Sequence, residues 1–181
     1  MVYHREHVYG ALQAVADCRH PVVAMIHGPC VGGGLELACQ CDLRIAGESG
    51  RFGVPINRLG FSIAYDELVA VLPVVGRAAA LEILIEGRVW DASEAFAKGL
   101  LTRVVPDEKL AEETRATVER ICAGAPLVAR WHKQFIRRLT PHATPLSAQE
   151  IDDSFAYFET EDFREGYAAF TQKRKPAFKG E

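Results

Sequence analysis

The sequence predicts an α/β fold over residues 1–106, followed by a helical C-terminal part over residues 107–181. Three observations predict it. Short β-branched runs alternate with helical repeats as far as Pro106, glycines punctuate the joints between them, and beyond Pro106 three helical stretches follow one another with no strand between. The chain has 181 residues, 49% hydrophobic and 25% charged. That is enough to bury a full core, since a domain of about 150 residues already hides roughly 70% of its unfolded surface. Disordered, collagen-like and extended coiled-coil chains are excluded by the same composition.

The first helix is read from Val8, Leu12 and Val15 within Tyr3–Cys18, and it stops before His20-Pro21, because the residue ahead of proline is pushed out of the helical region. Pro21–Gly28 is a short β-branched run ending in glycine, the mark of a buried strand. A glycine turn leads to a short helix over Leu35–Cys41, a strand over Asp42–Ala46, a turn over Gly47–Gly50 and an extended stretch over Arg51–Val54. Val69–Gly87 carries a helical repeat with interruptions at Pro73 and Gly76. Asp91 then reads as an N-cap with Glu94 in capping-box position, and Leu101–Val105 as the last strand. The three late helices are Asp107–Ala123, Leu127–Leu139 and Ser147–Lys173, the last broken near Thr160, with Thr140–Pro145 as a stiff connection.

With 24 acids against 21 bases the net charge is −3, and the two signs are interspersed, which disfavours nucleic acid as a partner. The local cluster Lys173-Arg174-Lys175 with Lys179 is either a solvated tail or a place for phosphate on a small ligand. Five cysteines, with no C-x-x-C pair, read as reduced thiols, and Cys18, Cys30 and Cys122 sit among small apolar residues as buried hydrophobes would. The expected compartment is therefore reducing. No charged-then-apolar leader opens the sequence, and apolar runs such as Pro21–Ile26 are too short to span a bilayer, so a cytoplasmic protein that enters no membrane is expected. His4 and His7 stand three apart with no third ligand nearby, so no metal site is expected. Trp90 and Trp131 read as core or interface anchors.

The most informative segment joins a predicted strand to a predicted helix: Gly28-Pro-Cys-Val-Gly32-Gly33-Gly34-Leu-Glu36. Successive glycines suit a backbone that takes positive φ or lets a ligand lie against bare peptide N–H groups. At a helix start those groups form a site for negative charge developing on an oxygen, such as a thioester carbonyl turning into an enolate. The spacing fits neither a P-loop nor G-x-G-x-x-G. Two roles stay open for Glu36. As an acid in a first helical turn it favours the dipole by about 0.3–1 kcal/mol. As a partly buried carboxylate beside an oxyanion donor it moves protons on a bound acyl chain.

The segment Pro21-Val-Val-Ala-Met-Ile-His-Gly-Pro-Cys-Val-Gly-Gly-Gly-Leu-Glu-Leu-Ala38, then Cys41-Asp42 and Arg51-Phe-Gly-Val-Pro55, resembles the signature of the crotonase, or enoyl-CoA hydratase/isomerase, superfamily. Gly76–Glu82, Ala95–Val105 and Glu161–Pro176 are similar to later blocks of that family, in family order. The resemblance implies a crotonase-like spiral of ββα units with a C-terminal helical part used for oligomerisation or as a lid. It implies an acyl-CoA thioester as substrate, no metal and no cofactor beyond the coenzyme A of the substrate, and a homotrimer or dimer of trimers. By the same resemblance the Gly33 N–H holds the thioester oxygen, with Gly32 and Gly34 beside it, and Glu36 is the first catalytic glutamate. With the last helix at a subunit interface, Lys173, Arg174 and Lys175 just beyond it are expected near a CoA phosphate.

Two departures accompany the resemblance. Family hydratases use two glutamates that share one water, and the second position is Ile56 here, which carries no proton. Asp66 and Glu67 follow in a predicted helix start, where they cap the helix at the surface or one of them reaches inward. The glycine- and alanine-rich segment that supplies the family's other oxyanion donor is not in this sequence, so the spiral is expected to be N-terminally truncated, with Met1 an internal start or the chain shortened. Two functions follow from this: an enoyl-CoA hydratase or isomerase acting through Gly33 and Glu36, or a catalytically weak acyl-CoA-binding or assembly module. The aromatics Phe155, Phe158, Phe163, Tyr167 and Phe170 on the last helices are expected at a subunit contact or over the acyl-CoA site.

Overall fold

Each turn of the chain lays one strand in each of two small sheets, and the computed structural model describes this for residues 7–140, 147–153 and 155–179. Strand β1 (Val23–Ile26) enters the first sheet, β2 (Pro29–Val31) the second, and helix α2 (Gly33–Gln40) returns the chain. The step repeats with β3 (Leu43–Gly47), β4 (Arg51–Gly53) and α3 (Tyr65–Leu81), after a 3-10 turn at Pro55–Leu59. A third round runs β5 (Val89–Asp91), α4 (Ala92–Ala97) and β6 (Arg103–Val105). The sheets are therefore β1-β3-β6, all parallel, and β2-β4-β5, with β5 antiparallel to β4. This is the ββα spiral expected. Helix α1 (Tyr9–Ala16) precedes it, while positions 1–6 of the expected first helix lie outside the described residues.

Between the sheets and α2–α3 lies one core containing Leu35, Ala46, Phe52, Val71, Ile83, Trp90 and Leu100. Trp90 is fully buried, with its indole N–H donating to Glu82 at 3.2 Å and the Lys98 ammonium 5.2 Å above the ring. Asp91 caps α4 by accepting from the Glu94 N–H at 2.8 Å as expected, but the Glu94 carboxylate accepts from Arg88 at 2.8 Å instead of closing a capping box. The three-residue strands β2 and β5 were not expected. Pairing with β4 creates them, and three residues are too few to show a period.

Helix α3 starts at Tyr65, where Asp66 and Glu67 mark the expected helix start, and leaves helical geometry only at Gly76 (φ 75, ψ 168), three residues after a Pro73 that the helix accommodates. The segment Tyr65–Glu86 is long and apolar enough, by length and composition, to cross a bilayer, a length that counting uninterrupted apolar runs does not register. Single polar residues divide the segment into short runs, so run counting passes over it. Here its inner face, Val71, Val75, Ala80 and Ile83, is core.

After β6 come α5 (Leu110–Cys122), α6 (Pro126–Leu139), α7 (Ala148–Asp153) and α8 (Glu161–Thr171), with the expected break at Thr160, whose hydroxyl accepts from the Phe163 N–H at 3.1 Å. The expected connection at Thr140–Pro145 lies outside the described residues from position 141 on. Helix α6 turns its polar side inward. Lys133 donates to Asp42 at 2.8 Å and to the His20 carbonyl at 3.1 Å, and Arg137 reaches the Ala16 carbonyl and Asp17. Trp131, Phe135, Ile136 and Leu139 on the same helix are exposed, so Trp131 is not a core residue.

All five cysteines are free, but only Cys30 and Cys39 are buried, and Cys122 is exposed at the end of α5. Its apolar neighbours Ile121 and Ala123 do not enclose it, which corrects the expectation of a buried hydrophobe. Burial pushes the Cys30 thiol up to about 11 and the Cys39 thiol up to about 12. Thiolate is the reactive form. In the folded protein, 5,5′-dithiobis(2-nitrobenzoate) is therefore expected to label Cys122 at once and to reach Cys30 and Cys39 only on unfolding, as peptide mapping would show.

Candidate active site

Helix α2 begins where β2 ends, and Gly32 makes the corner. Its φ of 55 and ψ of −130 suit glycine alone, and its N–H donates to the Gly53 carbonyl at 2.9 Å, tying the corner to β4. Gly33 and Gly34 are the first two helical residues. Groups in that position have no intrahelical acceptor, and the positive end of the helix dipole lies behind them.

One turn on, Glu36 is only 5% exposed, and its side chain folds back toward the glycines: a Cβ placed on Gly33 would stand 3.9 Å from Glu36 Oε2. Leu35, Ala38 and Cys39 of the same helix are buried, so packing carries Glu36 inward with them. Helix α3 packs against α2 and brings Glu67, 8% exposed, to the same place. Its Oε2 accepts from the Ala64 N–H at 3.4 Å. A cavity of about 350 Å³ joins Gly32, Gly33, Glu36, Ile56 and Glu67, and its other walls are Val8, Val31, Pro55, Leu59 and Phe61. Phe61 turns its far side to Tyr157 and Phe163, with ring centroids 5.4 and 6.3 Å away, so the C-terminal part backs the cavity wall.

Burial first, and the nearby Glu67 charge second, push the Glu36 carboxyl up to about 7. Near neutral pH such a group both takes and gives protons. With helix-start N–H groups beside it and apolar walls around it, the arrangement suits a carbonyl compound whose oxygen gains charge while a proton moves on a neighbouring carbon.

Of the residues expected at the site, Gly32, Gly33, Glu36 and Ile56 line this cavity together. Gly34 adjoins Gly33 in the helix start but forms no part of the wall. Lys173 and Lys175 are exposed beyond the end of α8 and line no part of it, and Lys173 takes a left-handed φ of 54. Asp66 also lies off the cavity, whereas Glu67 lies on it. The sequence left these two acids equivalent. The signal that separates them is the buried stripe Glu67, Ala70, Val71 and Val75, spaced for one helical face. Among the described residues no group of three His, Cys, Asp or Glu is placed to hold a metal ion.

A two-sheet ββα spiral with a glycine corner and a buried acid in its second helix defines a crotonase-fold protein. A model of the family described as enoyl-CoA hydratase/isomerase matches residues 2–181, and the chain belongs to that family. It is 36% identical over 173 residues to a probable enoyl-CoA hydratase of Rhizobium meliloti (strain 1021), an alignment covering 94% of this chain and 66% of the relative. Among solved structures it is similar to an enoyl-CoA hydratase/carnitine racemase from Magnetospirillum magneticum, with 53% identity and a TM-score of 0.69 over 94% of this chain and 63% of that one. It is also similar to a methylmalonyl-CoA decarboxylase in complex with 2-nitronate-propionyl-CoA, with 26% identity and a TM-score of 0.89 over 99% of this chain and 70% of that one. The chain thus spans about two thirds of the length of the relatives it matches.

Proposed function

We propose that this chain acts on acyl-CoA thioesters as an enoyl-CoA hydratase or isomerase, with the Gly33 N–H polarising the thioester oxygen and Glu36 moving protons on the acyl chain. The observation that carries this reading is the single cavity joining the start of α2 to a buried carboxyl held up at about 7. Coenzyme A enters as part of the substrate, so the chemistry calls for no metal or further cofactor. Free thiols throughout accord with a reducing compartment such as the cytoplasm. The test is hydration of 2-butenoyl-CoA by the chain and by Glu36→Gln, which keeps the shape and removes the ionisable group. Equal rates would sink Glu36 as the proton carrier.

Ile56 on the cavity wall favours a second reading, an acyl-CoA-binding or assembly module without turnover. Tight binding of 2-butenoyl-CoA with no hydration would select it.

The same proposal makes the chain a homotrimer or a dimer of trimers, with residues 107–181 as its oligomerisation and lid region. The outward apolar side of α6, where Ile136 is 67% and Leu139 80% exposed, supports this. A face of that kind on a helix pinned through its polar side is a surface for another subunit. Light scattering at micromolar concentration is expected to give a multiple of three chains, and Ile136→Lys to lower the mass. A monomer mass for the unaltered chain would refute it.

A further inference from the structure

Adding water to a carbon–carbon double bond requires two proton movements. Water loses one proton as its oxygen bonds to C3, and C2 gains one. In this cavity Ile56 takes no part in either, and Glu36 is one carboxyl. The other is Glu67, which comes from a different helix and lies on the same wall set. Acids at helix starts are ordinarily solvated, where they favour the dipole at no desolvation cost. Glu67 is instead buried, on the wall of the same cavity that the buried Glu36 lines. Its bond from the Ala64 N–H, at 3.4 Å, is one that a glutamine oxygen would accept equally well. Two carboxyls on one cavity wall, one protonated and one not, are the arrangement that gives one acid and one base at a single pH.

We infer that Glu67 is the second proton-transfer group of this cavity, so that Glu36 and Glu67 act as an acid–base pair on one acyl chain. The inference rests on the acyl-CoA reading of the cavity. In the step it describes, the unprotonated carboxylate takes a proton from water as the water oxygen bonds to C3. The π electrons move toward C2 and the thioester oxygen, which the Gly33 N–H steadies, and the protonated carboxyl delivers its proton to C2. The pair begins and ends with one proton, now on the other member, and its return between the two resets the site.

Glu67→Gln keeps the cap and removes the proton carrier. Hydration of 2-butenoyl-CoA is expected to fall by about 10²–10⁴-fold in kcat, while the Kd for butyryl-CoA stays at the value of the unaltered chain and the melting temperature does not fall. Adding Ile56→Glu to Glu67→Gln places a carboxyl back on the same wall and is expected to recover at least about tenfold of the loss, a recovery no structural role predicts. Hydration at full kcat by Glu67→Gln would overturn the inference, leaving the acyl-CoA reading intact as long as Glu36→Gln is inactive. Loss in Glu67→Gln of butyryl-CoA binding and of melting temperature together with kcat would also overturn it, in favour of a structural role. Failure of the unaltered chain both to bind butyryl-CoA and to hydrate 2-butenoyl-CoA would overturn the acyl-CoA reading itself, and binding without hydration would overturn the inference alone.

Discussion

Glu36→Gln is expected to lower kcat for hydration of 2-butenoyl-CoA by about 10²–10⁴-fold, the usual contribution of a positioned acid–base group, with little change in butyryl-CoA affinity. Glutamine fills the same volume on the cavity wall and still accepts a hydrogen bond, so binding survives and only proton movement is lost. The same substitution has a second signature that needs no substrate. Glu36 has its folded-state pKa raised from 4.5 to about 7, so between those values the folded chain binds more protons than the unfolded one. Stability then falls as pH rises through this window, and the full cost, up to about 3 kcal/mol, is present above pH 7. Glu36→Gln is therefore expected to raise the melting temperature at pH 8 and to change it little at pH 4.5. No pH dependence in that difference would mean that Glu36 is solvated.

Gly60→Ala is expected to destabilise the protein by about 2–5 kcal/mol, the sum of a left-handed backbone and a forced overlap. Gly60 closes the 3-10 turn at φ 74, and a Cβ there would stand 2.3 Å from the Asp162 carbonyl oxygen. From the other side, a Cβ on Gly166 of α8 would stand 2.3 Å from the Leu59 carbonyl oxygen. Two glycines thus let α8 lie backbone to backbone on the turn that supplies Ile56 and Leu59 to the cavity. Gly99→Ala is the control, since Gly99 has φ 80 but open space around its Cβ position, so it loses only the backbone part, about 1–2 kcal/mol. Urea midpoints that shift equally for the two variants would show that α8 does not rest on this turn.

The α2 end of the cavity was legible in the sequence because its chemistry is local. Gly32, Gly33 and Glu36 fall within five residues, and one helix start presents all of them. The β1 and β3 segments were legible as short apolar runs bounded by Pro21 and Gly28 and by Asp42 and Gly47, residues that punctuate strands. Glu67 and Ile56 reach the cavity through the packing of α3 on α2 and through the turn after β4, and no spacing along the chain encodes that approach. Strands β2 and β5 exist because β4 runs between them. The orientation of α6 was hidden too. Its amphipathic pattern marks an apolar side, but the Lys133–Asp42 and Arg137–Asp17 pairs, with Lys133 9% exposed, show that this side faces outward.

Proton exchange at C2 of a saturated thioester tests the central claim most directly, because it isolates Glu36 from water addition. Butyryl-CoA incubated with the protein in D2O is followed by NMR for deuterium at C2. The account predicts incorporation by the unaltered chain at a rate that rises with pH up through about 7, since Glu36 takes the C2 proton only when unprotonated, and none above the uncatalysed rate with Glu36→Gln. Bound butyryl-CoA that gains no deuterium, or that gains it equally with Glu36→Gln, would contradict it.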